Sequence, residues 1–240
     1  TYTASVNPAV EAEIEIDNSA DITYDSLPGD NTDDERDYTD SDDATVTAAS
    51  PSITKDVINT SNDETAGTDL AIGEIVTYEV VITLPEGDIS GAVLTDLLPS
   101  VPGILTYVDS RVTAIGGNIT GSALALNAEG SNSGQSTTFN FGDLENAIDN
   151  TSNNLDQITV EIDAIVTDVA ANASGDTLVN TATFAFDQGS VNDTASVDVV
   201  EPELNLTKTP SPTSGDAGDT VPYTLISQNT GDGPAYDIVI

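Results

Sequence analysis

Side chains alternate with a period of two residues through most of this sequence, and in two places the apolar phase of that alternation carries a lysine. In Pro51–Val57, the residues Ile53, Lys55 and Val57 fall on one face of a strand, and Thr54 and Asp56 fall on the other. In Leu204–Lys208, Leu204, Leu206 and Lys208 share a face in the same way. Each lysine follows a threonine and stands two residues after an aliphatic residue. An ammonium group placed among apolar side chains is costly unless it is paired or neutralised. The fold must therefore bring a partner to each lysine from the facing layer.

Other strands show the same interruption by a polar residue. In Ala12–Tyr24, the residues Ile14, Ile16, Asn18, Ala20, Ile22 and Tyr24 face one way, and Glu13, Glu15, Asp17, Ser19 and Asp21 the other. In Ala92–Leu98, Asp96 lies between Leu94 and Leu98. In Thr177–Phe186, Asn180 lies with Leu178, Ala182, Phe184 and Phe186. Ile75–Leu84 and Gln157–Val166 are long alternating strands without interruption. Shorter strands are expected at 2–6, 44–47, 104–114, 122–127, 136–142 and 194–200, with an acidic loop at 25–43. Val, Ile, Thr, Gly, Asn, Asp and Ser dominate and long helix-forming side chains are rare, which fits an all-β chain rich in turns.

Charge and missing residue types narrow the function. The formal net charge is −38, from 42 acidic residues against Arg36, Lys55, Arg111 and Lys208. Such a surface repels nucleic acid and anionic membranes. No stretch is long and apolar enough to insert into a membrane as a helix. Cysteine, histidine, methionine and tryptophan are absent. Disulfides are therefore unavailable, and an extracellular chain of this kind must rely on its core, on a metal or on another crosslink. Carboxylate pairs could in principle cleave sugars, but no pair stands out among so many acids, no tryptophan is present for stacking, and no glycine-rich phosphate loop is present. The chain is read as a non-enzyme.

The sequence repeats itself at long range. Asn18-Ser-Ala matches Asn180-Thr-Ala, Ile53-Thr-Lys55 matches Leu206-Thr-Lys208, and the segment ending at Tyr78 matches the one ending at Tyr223. These intervals have the length of a domain and not of a solenoid turn. The expected organisation is the C-terminal part of one repeat at 1–48, a complete domain at 50–200 and the N-terminal part of a following repeat at 201–240. The expected fold is all-β, as tandem immunoglobulin-like β-sandwich repeats. The sequence reads as an excerpt of a longer array.

The motifs Thr54-Lys55, Gly73–Val80, Val93–Pro99, Leu105–Val108 and Val179–Phe184, in this order, resemble the isopeptide-forming domains of bacterial fimbrial and adhesin proteins. They are also similar to a related repeat of unknown function in bacterial and archaeal surface proteins. The resemblance spans 50–200 in full and both flanks in part. It implies that Lys55 supplies an amine, Asn180 the side-chain amide it attacks and Asp96 the promoting acid. It also implies that Asn18 and Lys208 are the equivalents in neighbouring repeats. The competing readings are a buried Lys55–Asp96 ion pair with Asn180 nearby and no bond, and Lys55 as an edge-strand gatekeeper. The implied function is a structural repeat of a secreted, extracellular cell-surface stalk, adhesin or filament. Its partners would be neighbouring repeats or neighbouring copies, with strand exchange between copies as one mode of assembly. The alternative is a ligand-binding adhesin module for a cell or glycan target, which a concave patch lined by Tyr and Asp would favour.

No cofactor is required by these readings. Calcium is a candidate at the acidic loop, where Asp30, Asp33, Asp34, Glu35, Asp37, Asp40, Asp42 and Asp43 offer dense oxygen ligands without the order of an EF-hand. The plainer reading of that run is a solvated charged surface. Six Asn-x-Ser/Thr sites, at Asn59, Asn118, Asn150, Asn172, Asn192 and Asn205, are common by chance in such a composition.

Overall fold

The computed structural model describes residues 1–28, 36–62 and 65–240. Its strands are β1 (Glu15–Asp25), β2 (Asp37–Thr47), β3 (Ser52–Thr60), β4 (Asp69–Ala71), β5 (Ile75–Thr83), β6 (Gly87–Leu97), β7 (Leu105–Ile115) and β8 (Ile119–Gly121), then β9 (Ser131–Ser133), β10 (Ser136–Asn146), β11 (Gln157–Val166), β12 (Thr177–Phe186), β13 (Gly189–Val200), β14 (Leu204–Pro210) and β15 (Tyr223–Asn229). One short 3-10 turn at Asn154–Asp156 is the only helical element among the described residues. The protein is an all-β sandwich flanked by two hairpins.

Strands β3 to β13 form two sheets. One has the order β3-β5-β11-β7. The other runs β4-β13-β12-β6-β10-β8, with β9 added on β10. All pairings are antiparallel except that of β13 with the short β4. The period-two pattern becomes alternate burial: in β5, Val76, Tyr78, Val80 and Ile82 are fully buried, and in β11 Ile158, Val160, Ile162 and Ala164 are. Each large apolar side chain taken fully from water contributes about 1.5–3 kcal/mol, so these inner faces hold the two sheets together.

The core has two parts. One cluster contains Val80, Ile82, Leu94, Phe139, Ile162, Ala182 and Phe184. The other contains Tyr78, Leu98, Leu105, Ala164, Leu178 and Val197. The boundary falls at the polar residues. Asp96 sits between Leu94 of the first cluster and Leu98 of the second, and Asn180 between Ala182 and Leu178. Lys55 sits likewise between Ile53 and Val57, which pack against the first and the second cluster.

The hairpins β1–β2 and β14–β15 pair their own strands and expose most of their side chains. Their registers copy those of the sandwich. Asn18 stands opposite Ala44 in β1–β2, as Asn180 stands opposite Ala195 in β12–β13. Lys208 stands opposite Leu225, as Lys55 stands opposite Val80. Residues before β1 reach the sandwich: Ala12 is buried in its core and Glu11 bridges to Asp88.

Several expected elements differ. Residues 2–6 form no strand, and Tyr2 instead contacts Asn18 through its hydroxyl. The acidic stretch from Asp37 to Asp43 is not loop but the first part of β2, paired residue for residue with β1 up to Asp25–Asp37. Its Tyr38 stacks on Tyr24 with ring centroids 5.0 Å apart; cross-strand pairing overrides the weak strand propensity of aspartate there. Residues 122–127 are turn and not strand, because β10 continues to Asn146 and is paired at its end by residues 119–121. That continuation passes an irregularity at Gly142, where a positive φ of 67° suits glycine.

Candidate functional site

Three strands deliver the polar residues of the core boundary to one place. Lys55 lies on β3, the edge strand of the four-stranded sheet, and Asp96 and Asn180 lie on β6 and β12 of the facing sheet. The Lys55 Nζ donates to Asp96 Oδ2 at 2.6 Å, and both side chains are fully removed from solvent. Asn180 is also fully buried. Asp96 is paired across the sheet with Ala182, two residues from Asn180 on the same face, so Asn180 is its diagonal neighbour. The ammonium group also lies over the Tyr78 ring, 4.6 Å from its centroid.

The electrostatics pull in opposite directions. Burial pushes the Lys55 ammonium below the ordinary lysine value of 10.5, while Asp96 and Asp193 work against that shift. The face of Tyr78 also favours the cation. Burial and the nearby Asp96 push the Tyr78 phenol upward, so it stays neutral. The lysine thus has an acceptor for its proton at hydrogen-bond distance.

The hydrogen bonding of this site is incomplete. Among the described residues, Asp96 Oδ1, both amide atoms of Asn180 and the Tyr78 hydroxyl are buried without a hydrogen-bond partner. Buried polar groups are satisfied in the great majority of cases, and an unsatisfied one costs about 1–3 kcal/mol. Four such atoms around one buried ion pair form an arrangement poor for stability alone. It is well suited to chemistry in which an amine, a carboxyl and an amide react together.

The remaining candidates are dispersed. Asn18 is exposed on β1. Lys208 is exposed on β14 and lies 4.6 Å from the centroid of Tyr223, repeating the contact of Lys55 with Tyr78. Of the calcium candidates, Asp30, Asp33, Asp34 and Glu35 lie outside the described residues. Asp37, Asp40 and Asp42 are exposed along β2, where Asp37 points to the opposite face from Asp40 and Asp42, so these three do not converge on one ion. Among the described residues no three carboxylates are grouped to hold a metal. Asn172 is buried, with its side chain bonded to Ile104 and Thr167, which removes it as a glycan acceptor.

Two features escaped the sequence reading. Asp193 accepts a hydrogen bond from the backbone N–H of Lys55 at 2.8 Å. It lay just outside the strand expected at 194–200, and its place in the inward phase of a longer strand was the available signal. A groove of about 890 Å³ runs between residues 5–12, 46–52 and 83–86. Its lining contains no tyrosine and a single aspartate, Asp156, so it is not the concave patch expected of a ligand-binding module.

No protein-family model matches the chain, and no curated protein matches it. Solved structures are similar in architecture. The C-terminal domain of the Streptococcus agalactiae AgI/II polypeptide BspA aligns with a TM-score of 0.43 at 13% identity, over 78% of this chain and 59% of that one. The major pilin subunit BcpA of Bacillus cereus aligns with a TM-score of 0.37 at 14% identity, over 78% of this chain and 60% of that one. The T6 backbone pilin of serotype M6 Streptococcus pyogenes aligns with a TM-score of 0.37 at 16% identity, over 68% and 38%. This chain therefore spans 60% or less of the length of each of these structures. A likeness at this level assigns neither kinship nor activity.

Proposed function

We propose that this chain is a load-bearing structural segment of an extracellular cell-surface stalk, adhesin or filament, and that its sandwich seals itself with a bond between Lys55 and Asn180. The observation that carries this reading is the buried Lys55–Asp96 pair beside an asparagine whose amide has no hydrogen-bond partner among the described residues. The pilin and adhesin structures named above are compatible with the reading but do not carry it.

The chemistry follows from the contacts. Lys55 passes a proton from Nζ to Asp96 Oδ2, across 2.6 Å, and becomes a nucleophilic amine. The amine attacks Cγ of Asn180. The protonated carboxyl of Asp96 polarises the amide oxygen and then passes its proton to the leaving nitrogen, and the carboxylate so formed takes the surplus proton from the attacking nitrogen, so that Asp96 ends protonated. A C–N bond forms to Lys55, the C–N bond to the original amide nitrogen breaks, and ammonia departs. Confinement in a dry interior supplies the effective concentration for a reaction that each molecule performs once. Exclusion of water protects the site from hydrolysis.

The mechanical consequence follows from where the two residues stand. Tension entering at β3 and leaving after β13 would cross directly from Lys55 to Asn180, and everything between them would be spared. Neighbouring repeats or copies would transmit the load, and 1–48, 50–200 and 201–240 would be successive units. The test is the intact mass of the purified chain. The reading requires a mass about 17 Da below that of the sequence, from the loss of one ammonia, and its return to the full value in Lys55→Ala and Asn180→Ala. A wild-type chain of full mass would refute the bond.

A further inference from the structure

We propose that Asp193 is a positioning residue for the Lys55 amine, gripping the lysine by its backbone while Asp96 receives its side chain. The inference rests on the crosslink reading above. It begins with register. Asp193 of β13 is paired with Ala182 of β12, and Ala182 with Asp96 of β6. Residues paired in this way project to one face, so Asp193 and Asp96 belong to a single transverse row on the inner face of their sheet. Lys55 meets both ends of that row: its Nζ donates to Asp96 at 2.6 Å, and its backbone N–H donates to Asp193 Oδ2 at 2.8 Å.

The contact falls at an open seam. Strand β3 is the edge of its sheet, and its N–H at Lys55 points across to β13 of the other sheet and not to a strand partner. The neighbour of β13 on its outer side, β4, pairs only with Asp198, Val199 and Val200. At Lys55 the seam is therefore closed by the Asp193 side chain. Without it the edge strand is free to drift outward and carry the amine from Asp96. The hairpin β1–β2 holds the same residues in the same places: Asp42 stands opposite Ala20, two positions beyond the pair of Asn18 with Ala44. The aspartate thus recurs at the equivalent register position of β2.

The groups shown to act on the lysine are Asp96, Asp193 and Tyr78. Two substitutions of Asp193 separate its roles. Asp193→Ala removes both the acceptor and the charge. Asp193→Asn keeps an acceptor oxygen and removes only the charge. The full chain is made in a short cell-free synthesis pulse, samples are quenched in acid denaturant, and the loss of about 17 Da is followed by intact mass. Asp193→Ala should slow the loss by about tenfold or more, as expected for a misplaced reactant. Asp193→Asn should recover most of the rate, with its rate–pH profile displaced to lower pH because one negative charge beside the amine is gone. A purely structural aspartate would leave that profile in place. Wild-type speed in Asp193→Ala, or equal slowness in both variants, overturns the proposal. A wild-type chain that never loses ammonia refutes the crosslink instead. The grip is then judged by hydrogen exchange at the Lys55 amide: protection lost in Asp193→Ala and kept in Asp193→Asn upholds it, and equal protection in all three overturns it.

Discussion

Replacing Lys55 by Met together with Asp96 by Leu separates a covalent link from a buried ion pair, because the two predict opposite signs. Both residues are fully buried and both lie between apolar neighbours, so the replacements fit the surrounding chemistry. If the site were only an ion pair, exchanging it for packed apolar side chains would be neutral or stabilising by about 1–4 kcal/mol. If Lys55 is bonded to Asn180, the exchange also deletes a closed loop running from 55 to 180. By the chain-entropy argument developed for disulfides, a loop of that length is worth about 5 kcal/mol. For a domain of this size the loss corresponds to a fall in Tm of about 10–20 °C. The assay is calorimetric melting of the two full chains in the same buffer, with intact mass recorded on each sample. A double variant melting at or above the wild-type temperature would refute the crosslink.

Three further outcomes follow from the structure. In Asn180→Ala, which leaves the lysine free, the depressed folded pKa of Lys55 means that the unfolded chain binds more protons between that pKa and 10.5, so stability should rise with pH across that window. Above pH 10 the raised pKa of Tyr78 acts in reverse, since the unfolded phenol ionises first, and the rise should be cut short; denaturant melts of this variant with and without Lys55→Met isolate the lysine part. Sodium chloride should raise Tm, because the net charge is −38 and the outer face of the four-stranded sheet sets Asp56, Glu79 and Glu161 side by side. Phe184→Ala, at a fully buried position in the first core cluster, should cost about 3–5 kcal/mol in denaturant unfolding without changing the mass signature of the bond.

Much of the site was legible because it violates a regular pattern. Lys55, Asp96 and Asn180 each break an apolar phase, and alternation alone assigned all three side chains to the interior, where they are found. What alternation could not provide was the pairing of strands distant in sequence: the family resemblance set Lys55 beside Asp96, and the sheet orders show how their strands come to face each other. Asp193 was missed for a related reason. Its strand looked short because Asn192 and Asp193 have weak strand propensity, yet the strand begins at Gly189. The run from Asp37 to Asp43 was misread in the same way, since composition argues for loop and only the partner strand argues against it. The outer strands of the larger sheet were the least legible, because β8 and β9 are only three residues long and carry almost no periodic signal.

The division of the core into two greasy halves by a thin ionic layer has a bearing on how the chain avoids misassembly. A strand that slides by two residues keeps every aliphatic side chain indoors, so oily contacts alone barely notice the mistake. The charged layer does notice, because the slide strands the ammonium among leucines and leaves the carboxylate facing nothing. Only the correct alignment brings amine, acid and amide together, so only a properly threaded molecule could be sealed. The same layer would then serve as an inspection mark during folding and as the weld that makes the result permanent.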